Sequence, residues 1–91
     1  MDIYSLAVSQ IIKQQQAIIG PLAIDQAHKV AGLKFSSVDN VEILGDARGI
    51  LENLVKQYEQ LFGQASIEVC KDAIKEVKPP IPQSELPAIL Q

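Results

Sequence analysis

Two stretches carry the architecture of this chain: VSQIIKQQQAIIGPLAIDQAHKV, from Val8 to Val30, and LENLVKQYEQLFGQASIEVCKDA, from Leu51 to Ala73. They align without a gap at a constant offset, 51 − 8 = 43. Four pairs are identical: Lys13/Lys56, Gln14/Gln57, Gly20/Gly63 and Ile24/Ile67. Others keep their physical class, as in Ile11/Leu54, Ile12/Val55, Ile18/Leu61, Ile19/Phe62, Ala23/Ser66 and Ala27/Cys70. Amphipathic helices slid into phase always share apolar positions, so the glycines in register with the Lys-Gln pair carry the comparison. It predicts one helix-glycine-helix unit used twice. Solenoid arrays with repeats of this length need three or more units, so two units point to a closed bundle.

Within the first stretch and just before it, Tyr4, Ala7, Val8, Ile11, Ile12, Ile18 and Ile19 recur at helical spacing. Gln15 interrupts that stripe, at the position Tyr58 takes in the second unit. It reads either as a solvent-facing edge or as a polar group that sets helix register. Gly20-Pro21 ends the helix and opens the next, because glycine tolerates positive φ and proline suits the first helical position. A short second helix carries Leu22, Ala23, Ala27, Val30 and Ala31 inward and ends at Gly32.

Asp46 reads as the N-cap of the strongest helix, Ala47 to Phe62, with Ile50, Leu51, Leu54, Val55, Tyr58, Leu61 and Phe62 on its apolar face. Arg48 and Glu52 stand one turn apart as a surface ion pair. Gly63 takes the part of Gly20, although Gln64 replaces the proline, and a fourth helix follows with Val69, Ala73 and Val77 inward. Between the units, Leu33 to Gly45 shows little periodicity. Asp39 followed by Glu42 resembles a capping box and predicts one helical turn there, with an extended loop as the alternative. Pro79-Pro80-Ile81-Pro82 ends the helical part and favours extended geometry. The sequence therefore predicts an all-α fold: a compact four- to five-helix bundle over residues 1–78, from two pseudo-symmetric hairpins, with a proline-rich tail at 79–91.

Composition narrows the function classes. The chain has 91 residues, 47% hydrophobic and 21% charged, with a net charge of −3 and a pI near 4.9. That is one small globular domain. An acidic chain with scattered lysines lacks the clustered basic face that nucleic acid requires. Lys71, Lys75 and Lys78 share a helical face and read as a solvated C-terminal face favoured by the helix dipole. A single cysteine, no apolar run long enough to span a bilayer and no secretory leader place the chain in the cytoplasm.

Groups for catalysis are few. His28 is the only histidine and lies one turn from Asp25, a pairing that suits a general base, but a lone histidine on a short helix more often serves at the surface. Cys70 falls on the apolar side of its helix without a cationic activator and reads as a small core hydrophobe. No residues stand at metal-ligand spacing. Gly45 to Gly49 lacks the lysine and preceding strand of a phosphate loop. No cofactor is expected.

The segment Ile18-Ile19-Gly20-Pro21-Leu22-Ala23-Ile24 resembles the Gly-Pro-aliphatic-Ala core of a small helical domain attached to bacterial signalling proteins, including serine/threonine kinases and regulators. Leu61-Phe62-Gly63-Gln64-Ala65-Ser66 extends the resemblance, with Gln64 as its departure. The resemblance implies an accessory module and contributes no catalytic residue.

The expected function is a non-enzymatic interaction module that pairs with itself as a homodimer or docks on another protein. The candidate face is Ile11, Ile12, Gln15, Ile18, Ile19, Leu54, Tyr58, Leu61 and Phe62, with Gly20, Pro21 and Gly63 as structural turns. The second expectation is a sensor holding a small apolar ligand between the hairpins, oriented by Gln15 or Tyr58.

Overall fold

Asp2 opens the first helix by accepting a hydrogen bond on its carboxylate from the Ser5 N–H at 2.8 Å, which satisfies one of the orphan donors of the first turn. The computed structural model describes residues 2–91. Helix α1 spans Ile3–Ile19 and α2 spans Leu22–His28. A hairpin of β1 (Leu33–Ser37) and β2 (Asn40–Ile43) follows, then α3 (Ala47–Phe62) and α4 (Gln64–Lys75). Two 3-10 turns, Gln83–Glu85 and Ala88–Leu90, complete the chain.

The hairpin corrects the all-α expectation. Leu33-Lys34-Phe35 and Val41-Glu42-Ile43 alternate in burial with period two, and the strands pair antiparallel with Leu33 opposite Ile43, Lys34 opposite Glu42 and Phe35 opposite Val41. Lys34 and Glu42 place opposite charges across the solvent-facing side. The supposed capping box is thus a hairpin: Asp39 lies in its turn and Glu42 in its second strand. Two-stranded ribbons are marginal alone, and α1 supports this one. Ser9 Oγ donates to the Val38 carbonyl, and Lys13 Nζ meets Asp39 Oδ1 at 2.6 Å.

Gly32 and Gly45 flank the hairpin at φ +83° and +126°. The Gly32 carbonyl accepts from the Leu44 N–H at 2.7 Å. A Cβ on Gly32 would stand 2.7 Å from both Ile50 Cδ1 and the Leu44 oxygen, so this corner admits no side chain without displacement.

The core is continuous from Ala7, Val8, Ile11 and Ile12 on α1, through Ala23 and Ala27 on α2, to Leu51, Leu54, Val55 and Tyr58 on α3 and Cys70 and Ala73 on α4. Val41 joins it from the hairpin. The chain beyond residue 78 joins it as well. Ile81, Leu86 and Leu90 are buried against the bundle. Arg48 Nη2 donates to the Leu86 carbonyl at 3.1 Å, Gln91 Nε2 to the same oxygen at 2.8 Å, and Tyr4 Oη to the Glu85 carbonyl at 2.8 Å. Arg48 therefore pins the tail, and Glu52 faces Lys56 at 3.8 Å instead. Asp46 begins α3 without a side-chain capping bond. Lys71 and Lys75 sit beside Glu68 and Asp72 in surface pairs of 3.7 and 3.8 Å, which contribute little in water.

Candidate functional site

The two corners that end α1 and α3 adopt one geometry. Gly20 has φ 69°, ψ −148° and Gly63 has φ 64°, ψ −144°, a mirror-extended conformation open essentially to glycine alone. The Gly20 N–H donates to the Gln16 carbonyl at 2.9 Å and the Gly63 N–H to the Glu59 carbonyl at 2.7 Å. Each glycine carbonyl then accepts from the residue three further on, Ala23 at 3.0 Å and Ser66 at 3.1 Å. Pro21 occupies the junction before α2 at φ −58°.

Burial follows the same offset. Both members are buried in Val8/Leu51, Ile11/Leu54, Ile12/Val55, Gln15/Tyr58, Ala23/Ser66, Ala27/Cys70 and Val30/Ala73. Two of these pairs exchange hydrogen bonds across the core. Gln15 Nε2 donates to the Ser66 carbonyl at 3.2 Å, and Tyr58 Oη donates to the Ala23 carbonyl at 2.7 Å. Each half thus uses the residue at this offset position, Gln15 or Tyr58, to hold the backbone of the other half just past the glycine corner. Gln57 adds a bond from Nε2 to Gln26 Oε1 at 2.9 Å.

Between the corners lies an apolar groove of about 460 Å³. Ile18, Ile19 and Leu22 form one wall, Phe62, Ala65 and Val69 the other, and Gln15 and Ser66 lie at its base. None of these residues carries a charge. Ile18 is 63% exposed, Phe62 50%, Leu61 40% and Leu22 38%, the exposed large hydrophobic side chains among the described residues together with Leu44.

The expected interaction face therefore divides. Ile11, Ile12, Gln15, Leu54 and Tyr58 lie in the interior, at no more than 1% exposure, and present no side-chain surface for a macromolecular partner. Ile18, Leu61 and Phe62 face solvent, and Ile19 is half-buried. Ile18 and Phe62 line the open groove, so that side of each stripe stays uncovered. Leu22, Ala65, Ser66 and Val69 were absent from the candidate face. Their signal was the same offset of 43, which sets Leu22 against Ala65 and Ala23 against Ser66.

The titratable interior suits packing. Burial raises the Tyr58 hydroxyl far above its usual range, with the nearby Cys70 adding to the rise. Burial also pushes the Cys70 thiol up to about 11, against a smaller lowering from the Gln15 amide, whose Nε2 lies 3.5 Å from Sγ. A thiol held neutral is a poor nucleophile. His28 stacks flat on Phe35, with ring centroids 4.2 Å apart and planes 7° from parallel, so it packs the hairpin onto α2. Among the described residues no three His, Cys, Asp or Glu side chains gather to hold a metal ion. Among the described residues no helix is long and apolar enough to cross a membrane.

Comparison with protein-family models, with curated proteins and with solved structures finds no match.

Proposed function

We propose that this chain is a non-enzymatic binding module that self-associates through the apolar rim at its two glycine corners. The observation that carries the reading is the exposure of Ile18, Leu22 and Phe62 around one apolar groove, with Leu61 exposed beside Phe62 in sequence. Apolar patches of a few hundred Å² mark interaction surfaces. A standard interface takes about 800 Å² from each partner, about one sixth of the 4810 Å² surface of this protein. One end face of a molecule 28 × 27 × 20 Å across is of that scale.

A second copy is the favoured occupant because the rim is built from both halves. Ile18 pairs with Leu61 and Leu22 with Ala65 at the common offset, so both halves contribute apolar groups to the rim. A copy turned over in an isologous contact then meets apolar surface with apolar surface. An accessory role beside a signalling partner, implied by the Gly-Pro-aliphatic-Ala resemblance, belongs to the same reading.

Sedimentation velocity from micromolar to millimolar protein tests it. The expected result is a monomer–dimer equilibrium that Phe62→Glu shifts fully to monomer. A wild-type chain that stays monomeric over the whole range overturns it.

A further inference from the structure

We propose that the groove over Gln15 is a binding site for a small, uncharged, mainly apolar molecule bearing one hydrogen-bond donor. The site lies beneath the rim used for self-association, and the inference holds whether or not two copies pair.

The volume of about 460 Å³ falls in the range of small-molecule sites, roughly 300 to 1,000 Å³. Its walls, Ile18, Ile19, Leu22, Phe62 and Val69, are aliphatic or aromatic and uncharged, so a charged ligand would lose hydration with nothing in return. The polar group at the base sets the ligand's chemistry. Gln15 is 1% exposed yet lines the groove. Its two hydrogen bonds are both donated by Nε2, to the Ser66 carbonyl and to Cys70 Sγ. A carbonyl only accepts, so the amide orientation is determined and Oε1 is left as an acceptor with no donor among the described residues. No fully buried side-chain oxygen lacks a partner among the described residues, and Oε1 accordingly opens on the groove. An apolar molecule without a donor would strip water from that oxygen and replace it with nothing, whereas an N–H or O–H restores the bond. Tyr58, the other polar seam residue, is spent on the Ala23 carbonyl and takes no part.

The test compares indole with benzofuran, which has the same shape but an oxygen in place of the N–H. Protein NMR titration is run at a concentration where sedimentation shows monomer, following Leu22, Ala65 and Val69. Indole is expected to shift these resonances saturably and to bind about tenfold more tightly than benzofuran. In Gln15→Leu the two probes should bind equally. Ala65→Leu, a change at an exposed position that fills the groove from above, should abolish binding of both and guards against misfolding of the buried variant. Equal affinity of the two probes for the wild type, or no saturable shift at millimolar indole, overturns the proposal. Self-association is read separately by sedimentation, so failure of one leaves the other standing.

Discussion

Gln15 reaches through the core to the backbone of Ser66, its Nε2 donating to that carbonyl at 3.2 Å, and so ties α1 to the first turn of α4. Tyr58, forty-three positions after Gln15, makes the reciprocal bond to Ala23, forty-three before Ser66. The polar residue that interrupts the apolar stripe of α1 is a cross-brace, and its aromatic counterpart on α3 does the same work.

Removing a brace should cost one hydrogen bond between the halves. Tyr58→Phe keeps the ring packing and removes the hydroxyl donor to the Ala23 oxygen, which still accepts within α2, at an expected cost of about 0.5 to 1.5 kcal/mol. Urea denaturation should show a lower midpoint with an unchanged slope. A midpoint equal to wild type would mean that the bond contributes nothing.

The glycine corners should resist substitution for conformational reasons. A Cβ on Gly20 or Gly63 would meet no atom within 4 Å, so space is not the obstacle. The positive φ with ψ near −146° is, and Gly20→Ala or Gly63→Ala should each cost about 1 to 3 kcal/mol. For a domain of this size that lowers the melting temperature by about 4 to 8 °C per kcal/mol. Gly32→Ala should cost more than either, since it adds a clash with the Leu44 carbonyl. Gly32→Ala melting no lower than Gly20→Ala would contradict the close approach.

Alkaline pH should weaken the fold through the buried pair of acids. The folded-state Cys70 pKa is raised from 9.0 to about 11, so the folded state holds its proton where the unfolded state has lost it. The stabilisation is full below pH 9 and disappears progressively as pH rises toward 11, amounting to about 2 to 3 kcal/mol. Tyr58 is shifted in the same direction and adds to the loss at higher pH. Denaturant midpoints across this range should fall less steeply in Cys70→Ala. Identical slopes for wild type and variant between pH 9 and 10 would refute the assignment.

The C-terminal segment should behave as core. Leu86→Ala and Leu90→Ala each remove a buried side chain at 4–5% exposure, with an expected loss of about 2 to 5 kcal/mol. Deleting residues 79–91 should destabilise more than either single change. A truncated chain with wild-type stability would show that the tail only rests on the surface.

The four long-range facts of the fold differ in how visible they were in the sequence. The helices around Ile11 and Leu54 and their breaks at Gly20 and Gly63 follow from periodicity and from the backbone freedom of glycine. The hairpin was also written locally, in the alternation Leu33-Lys34-Phe35 and Val41-Glu42-Ile43 between Gly32 and Gly45. It was masked by an Asp39/Glu42 spacing that mimics a capping box. The tail was misleading in another way: four closely spaced residues including three prolines describe an extended backbone but not what Ile81 packs on. For the groove, the apolar stripe named Ile18 and Phe62 without indicating which way they face.

By itself the sequence determined the spans of α1 and α3 and the glycine corners that end them, because each rests on interactions a few residues apart. Only the tertiary structure decided that Gln15 is interior while Ile18 and Phe62 are exposed. Burial depends on whether a neighbouring helix extends far enough to cover a given turn. Gln15 is held against Ser66 beneath the groove, whereas Ile18 and Phe62 line its open side.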